Sequence, residues 1–361
     1  MILQHEKELP GAIASPADSP LPPVWAQASA GTQSSFESRV RLIVAGALIL
    51  LAMCFLGIKL LDRFGFIGAD ASGWPAHSLP QPLQQLLSGW SLTAMVLYPF
   101  GMLAILYLER TFPAVPAQQT LSTGLVHDAL WVLIAAVVEV TLVSWFSRLL
   151  YSLYAAHLSF LTLPLAPSLP GWLRLAIGAV VLDLTRWIQH WLHHKVTWLW
   201  AFHAVHHSQR ELNLFSDYRI HFMEHFVRRT VSVLPMLMLG LEAPEVMWWL
   251  LLLSWHSRLY HANIRSDFGP LRYILVTPQS HRVHHSLLKQ HQDHNYGAML
   301  SLWDYLFGTQ YRRYDVYPET GIDDEDFPGE SAHSVAGVLM TPVRQMLYPF
   351  GRLWKRLQRG A

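Results

Sequence analysis

Apolar residues along this chain come in long unbroken blocks, not in the alternation of a half-buried sheet. The first block runs from Arg41 to Leu61, with no charge between Arg41 and Lys59. At about twenty residues it is long enough to cross a bilayer as a helix. Leu86 to Leu108 is a second span, with a kink expected near Pro99, and Glu109-Arg110-Thr-Phe-Pro closes it. A third runs from Leu125 to Leu149 with Glu139 inside, read as a hydrogen-bonded packing residue. Pro164, Pro167 and Pro170 break the chain before Gly171 to His194, the fourth helix. Residues 230 to 255 are apolar but carry Pro235, Gly240 and Pro244. They read as two short helices or a hairpin dipping into the membrane. The fold class expected is an all-α integral membrane protein, with about four transmembrane helices and a helical cap at the cytoplasmic face.

Composition supports that class. The 361 residues are 52% hydrophobic and only 14% charged, with 15 Trp, too apolar for an average soluble domain of this size. The net charge of +1 makes no case for nucleic acid, and none is expected as a partner. Cys54 is the single cysteine, so neither an internal disulfide nor a cysteine metal site is available. Residues 1–38, rich in Pro, Ala, Ser and Gln, read as a disordered tail without a cleaved signal peptide. Residues 39–85 hold the first span and a loop. Residues 313–361 mix an acidic loop, Asp323 to Glu330, with a basic apolar tail. Lys195, Arg210, Arg219, Arg228 and Arg229 mark the histidine-bearing side as cytoplasmic. Arg352, Lys355, Arg356 and Arg359 put the C-terminus there too, and an even number of spans returns the N-terminus to the same side.

The chemistry is concentrated in one stretch. Fifteen of the twenty histidines lie between His190 and His294. His203-x-x-His206-His207 and His281-x-x-His284-His285 share one spacing, and His190 and His194 are four apart. On a helix, residues three and four apart occupy one face, so each group aims its imidazoles at one place. Neutral imidazole is a ligand for zinc, copper, iron and nickel. One tetrahedral zinc would use at most four of them; eight or more point to two metals, or to a six-coordinate metal. Asp183, Trp187, His190 and His194 follow at steps of four, three and four and share a face. Asp183 either orients imidazoles or pairs with Arg186.

Asp183-x-x-Arg-Trp-x-Gln-His190-x-x-x-His194 and Leu199-Trp-x-Phe-His203-Ala-Val-His206-His207-Ser resemble the fatty acid hydroxylase superfamily, also called the sterol desaturase family. So do Gly269-Pro-Leu-Arg-Tyr, Thr277-Pro-Gln-Ser-His281-Arg-Val-His284-His285-Ser, Asp293-His-Asn-Tyr-Gly297 and Leu302-Trp-Asp-Tyr-Leu-Phe-Gly308-Thr. The likeness covers about residues 90 to 310 and looks closest to bacterial members. It implies a catalytic membrane domain over 86–312 and a centre of two iron ions. It also implies O2 as co-substrate and two electrons spent on hydroxylating or desaturating a lipid. Carried over, the metal ligands are His190, His194, His203, His206, His207, His261, His281, His284 and His285. Asp183, His221, Glu224, His225 and His256 stand as supporting residues or extra ligands. The chain departs from the family at Trp191, where Arg is usual, and at His221-Phe-Met-Glu224, where many bacterial relatives have His-Pro-x-Glu. The resemblance further implies a bacterial inner membrane, a lipid substrate and a separate electron donor: ferredoxin, cytochrome or reductase. Two other readings remain. His221-x-x-Glu224-His225 matches the inverted zinc-peptidase pattern of a membrane hydrolase, and a non-enzymatic metal or haem carrier would also be rich in histidine.

Overall fold

The computed structural model describes residues 92–118, 122–163, 169–241, 243–331 and 334–360. The expected tail and first span lie outside these. Every regular element among the described residues is helical; pairing between extended segments is limited to isolated bridges such as Leu275 with Leu300. Helix α1 is Leu92–Thr111 and runs through Pro99.

Helix α2, Thr123–Leu161, is the one described helix long and apolar enough to cross a membrane. Ser122 starts it by accepting a bond from Leu125 N. Sequence reasoning ended this helix near Leu149, but no Pro or Gly interrupts it before Pro164. It continues by inserting π-helical turns at Glu139–Val143 and Tyr154–Leu158. Beyond its first turns many side chains face outward: Leu133, Val137, Trp145, Leu149 and Leu153 are exposed, while Val143 and Tyr154 are buried. Glu139 is no buried packing residue; it is exposed and pairs with Arg229.

Helix α3, Gly171–Lys195, turns sharply at the extended residue Val196 into α4, Thr197–His207. Helix α5, Phe222–Met238, and helix α6, Ala243–His261, form the expected pair, joined through Gly240 at φ +64°. The Pro278 ring and a Thr277–Ser280 capping box start the short helix α7, Pro278–His284. Helix α8 is Leu302–Leu306, and helix α9 is Val335–Gly360.

Two buried carboxylates dock the distal third of the chain onto α3. Asp183 accepts bonds from Met299 N (3.1 Å), Leu300 N (3.0 Å) and Trp303 Nε1 (2.9 Å). It makes no hydrogen bond with Arg186, whose charge acts on it only through space, and accepts none from an imidazole. Asp304 accepts from Trp187 Nε1 (2.9 Å), Tyr296 N, Gly297 N and Thr309 Oγ1. Trp187, Tyr296 and Trp303 pack together between the two carboxylates. The face of α3 picked out by the steps of four and three thus holds residues 296–304 in its first half and presents His190 and His194 in its second.

A third carboxylate, passed over in the apolar run of α2, is a hub. Asp128 is fully buried and accepts from Gln209 Nε2 (2.7 Å), Asn213 Nδ2 (2.8 Å), Ser216 Oγ (2.7 Å) and Arg219 Nε (2.8 Å). Arg219 also reaches Glu330 at 2.5 Å. It is 0% exposed, so it locks the 208–219 loop to α2 instead of standing as an interfacial charge.

Glu109, at the end of α1, accepts from Leu214 N and Asn263 N while only 9% exposed. Burial pushes its carboxyl up to about 7, against the pull of those two bonds. A raised carboxyl contributes most to stability when protonated, and that contribution fades as pH rises from about 4.5 to 7. Glu109→Gln keeps an oxygen acceptor and removes the buried charge. We expect it to be more stable than the parent at pH 8, by up to about 3 kcal/mol, with no advantage at pH 4. Thermal unfolding in detergent across that range checks this; an advantage that does not change with pH would contradict it.

Candidate metal centre

Nine imidazoles from four segments meet at the end of α3. His190 and His194 come from α3, His203, His206 and His207 from α4, His261 from the last turn of α6, His281 and His284 from α7, and His285 from its cap. They fall into two groups whose possible ligand atoms lie within 4.8 Å of one another: His190, His194, His203, His207 and His284, and then His206, His261, His281 and His285. The two groups abut, with the His207 and His285 rings stacked at 4.3 Å. Each His-x-x-His-His segment is split between them. His203 and His207, four apart on α4, share a group, while His206 turns to the other. His281 and His285 join His206, while His284 crosses to the first group.

Four of the outer nitrogens are tied down. His190 Nδ1 donates to the Tyr296 carbonyl (2.9 Å), His284 Nδ1 to the His294 carbonyl (2.8 Å) and His261 Nδ1 to the Ser257 carbonyl (2.7 Å). His203 Nδ1 donates to Glu224 Oε2 at 3.0 Å. In a neutral imidazole this leaves Nε2 as a bare lone pair. Two of these carbonyls belong to a strained turn, in which Asp293 and Asn295 both adopt positive φ, 65° and 60°. Asn295 is held by Ser280 O and Tyr311 N, and Asp293 by Lys195 at 2.8 Å.

The inner nitrogens crowd one another. His206, His261, His281 and His285 form a chain of Nε2–Nε2 contacts of 3.2, 2.9 and 3.0 Å, and His203 and His207 meet at 3.2 Å. His190, His194 and His284 leave Nε2 buried with no partner. Nitrogens about 2.1 Å from one ion and at right angles to each other lie about 3.0 Å apart. The spacing therefore suits a coordination sphere, and nitrogen-only donors suit a borderline transition metal. Burial first, then the neighbouring imidazoles, holds His206, His207, His281 and His285 well below the ordinary histidine range. Burial takes His284 down to about 3. These side chains are neutral at physiological pH, the form that binds a cation.

The supporting residues separate. Glu224 touches the centre through His203 and also accepts from Arg228 Nη2 at 3.2 Å. His221 caps α5 by accepting from Met223 N, and its Nε2 donates to the Met346 carbonyl. His225 lies 3.9 Å from Glu139 and joins neither group. The inverted-peptidase set is thus dispersed: His221 is spent on backbone and Glu224 serves His203. His256 Nε2 donates to the Val276 carbonyl and also stays outside both groups. Unforeseen from sequence were the two carbonyl acceptors of the 293–296 turn, and Ser257 with Asp217. Ser257 Oγ donates to Asp217 at 2.5 Å, while the Ser257 carbonyl receives His261. The quoted Asp-His-Asn-Tyr-Gly motif was the available signal for the turn; nothing local marks Asp217.

A helical frame closes on two clusters of imidazoles able to hold metal ions. Residues 175–309 match the fatty acid hydroxylase family. The chain is 33% identical to the ornithine lipid hydroxylase OlsE of Rhizobium tropici over 38% of its length and 41% of that protein. It is 32% identical to the alkylglycerol monooxygenase of Danio rerio, over 46% of this chain and 35% of the other. With the very-long-chain aldehyde decarbonylase GL1-4 of Oryza sativa subsp. indica the identity is 22%, over 52% and 33%. The chain thus spans less than half the length of these relatives. No solved structure matches it.

Glu224→Gln keeps an acceptor for His203 and removes the charge that strengthens that bond. We expect metal affinity to fall about 10- to 100-fold with little change in helical content. Metal analysis after dialysis against a chelator, alongside circular dichroism, reads both; undiminished retention would leave Glu224 without a role at the centre.

Proposed function

We propose that this chain is a membrane-bound di-iron oxygenase that hydroxylates or desaturates a lipid. The observation that carries the reading is the pair of abutting groups of imidazoles, five and four strong, all buried except the partly exposed His190 and His194. In this reading His190, His194, His203, His207 and His284 hold one iron. His206, His261, His281 and His285 hold the other. The chemistry such a pair supplies when bound is the reduction of O2 coupled to removal of hydrogen from an unreactive C–H bond. Hydroxylation puts one oxygen atom into a new C–O bond and releases the other as water. Desaturation releases both as water. Each uses two electrons and two protons from a separate donor.

The chain's own groups prepare the site. The carbonyls of residues 257, 294 and 296 and the Glu224 carboxylate hold four imidazoles in one tautomer with Nε2 inward. Trp187, Trp191, Tyr296 and Trp303 wall off one side and exclude water. With imidazole donors only, metal ions held here would keep their full positive charge. The names of the relatives, an ornithine lipid hydroxylase and alkylglycerol monooxygenases, favour a polar-headed lipid. In this reading four spans carry the centre at the cytoplasmic mouth of the bundle, where a lipid can enter sideways.

Purified protein is expected to hold about two irons per chain; one zinc, or haem absorbance, would overturn the assignment. His206→Ala and His284→Ala, one from each group, should abolish the O2-dependent lipid product while the protein still inserts. Lipid mass spectrometry of cells with each variant reads this. The product would differ from its precursor by one added oxygen or by loss of two hydrogens. Full turnover in both variants would remove these clusters from the reaction.

A further inference from the structure

Arg186 lies on α3 one turn before His190. Among the described residues its guanidinium makes no hydrogen bond and no ion pair. Its Nε is enclosed and unbonded, while the half-buried residue leaves the terminal nitrogens open to accessible space. Its electrostatic neighbours are Arg228, Arg229 and Glu224 of α5 and Tyr260 of α6. Asp183, the nearest acid on its own helix, acts on it through space but accepts its hydrogen bonds from residues 299–303.

Across the α3–α5 contact the same deficit recurs. Arg228 Nε and His225 Nε2 are enclosed without partners. Arg228 shares Glu224 with His203, and Arg229 is paired with Glu139. Arg186, Arg228 and Arg229 thus share Glu224, Glu139 and the through-space pull of Asp183, and none of the three carboxylates bonds Arg186 directly. A cation sheltered from bulk water without a directly bonded counter-ion is unfavourable. A guanidinium with open terminal nitrogens matches a carboxylate or phosphate in a two-pronged fit.

We infer that Arg186, with His225 and Arg228, binds the anionic group of a lipid headgroup and holds it beside the metal centre. This rests on the lipid-oxygenase reading and narrows it. Arg186 and His190 are one helical turn, about 6 Å, apart. A headgroup anchored there presents carbons within a few bonds of its charge, so the carbon attacked is headgroup-proximal and not in the middle of an acyl chain.

The test is binding to the full-length, iron-loaded protein in neutral detergent, with dodecanoate, dodecyl phosphate and dodecanol compared by tryptophan fluorescence. We expect both anionic amphiphiles to bind about tenfold or more tightly than dodecanol. Arg186→Gln should erase that preference at unchanged iron content, and Arg186→Lys should retain part of it. The inference is overturned if the parent shows no preference for the anions, or if Arg186→Gln keeps it. Inorganic phosphate displacing dodecyl phosphate at equal affinity would also overturn it, by assigning the site to a free anion. Failure of the oxygenase reading would show separately, as missing iron or missing product, and would leave the binding comparison intact.

Discussion

The structure depends on imidazole lone pairs that have nowhere to go. Nine rings converge: six bring their Nε2 atoms within 2.9–3.2 Å of a neighbour's and three enclose Nε2 with no partner, and a neutral ring whose outer nitrogen already donates has no proton left to share inward. Burying a polar atom without a partner carries a penalty of about 1–3 kcal/mol, here repeated around two small volumes. Left alone, that arrangement would favour rearrangement; cations at the two foci relieve it. The rest of the fold acts as a clamp that keeps the rings from turning away.

The clamp relies on long-range bonds. Asp183 and Asp304 fasten residues 296–304 to α3, and the turn they secure supplies the carbonyls that orient His190 and His284. Asp128 and Arg219 fasten the loop after α4 to α2 on the other side. Each anchor is a fully buried carboxylate satisfied by several donors, the condition under which a buried charge is tolerable. Local helix propensity plays a smaller part: α7 has only seven residues, too few to be stable alone, and holds its shape through its capping box and its packing.

How much of this was legible follows from what periodicity encodes. Spacing of three and four tells which side chains share a helix face, so His203 with His207 and the 183–187–190–194 face of α3 were readable. Spacing does not tell what lies opposite. The partner of Asp183 proved to be a loop more than a hundred residues on, and Glu224, noticed for a peptidase-like pattern, proved to serve His203. Asp128 was hidden because a single acid barely alters the apolar character of a long run. The extension of α2 past Leu149 was missed because π turns have no sequence signature comparable to Pro or Gly. The separation of His206 from His203 and His207 into different groups depends on ring direction, which no count of intervals supplies.

The centre also has a birth order. Its rings and their carbonyl rests are drawn from positions 190 to 296, and the staple that steadies them arrives only with Asp304. While the ribosome is still making α6, the nascent helices can offer fragments of a cage but no closed one. Closure of the cage is therefore a late step in biogenesis, and a chain truncated before Asp304 would carry all nine histidines without the staple that steadies them.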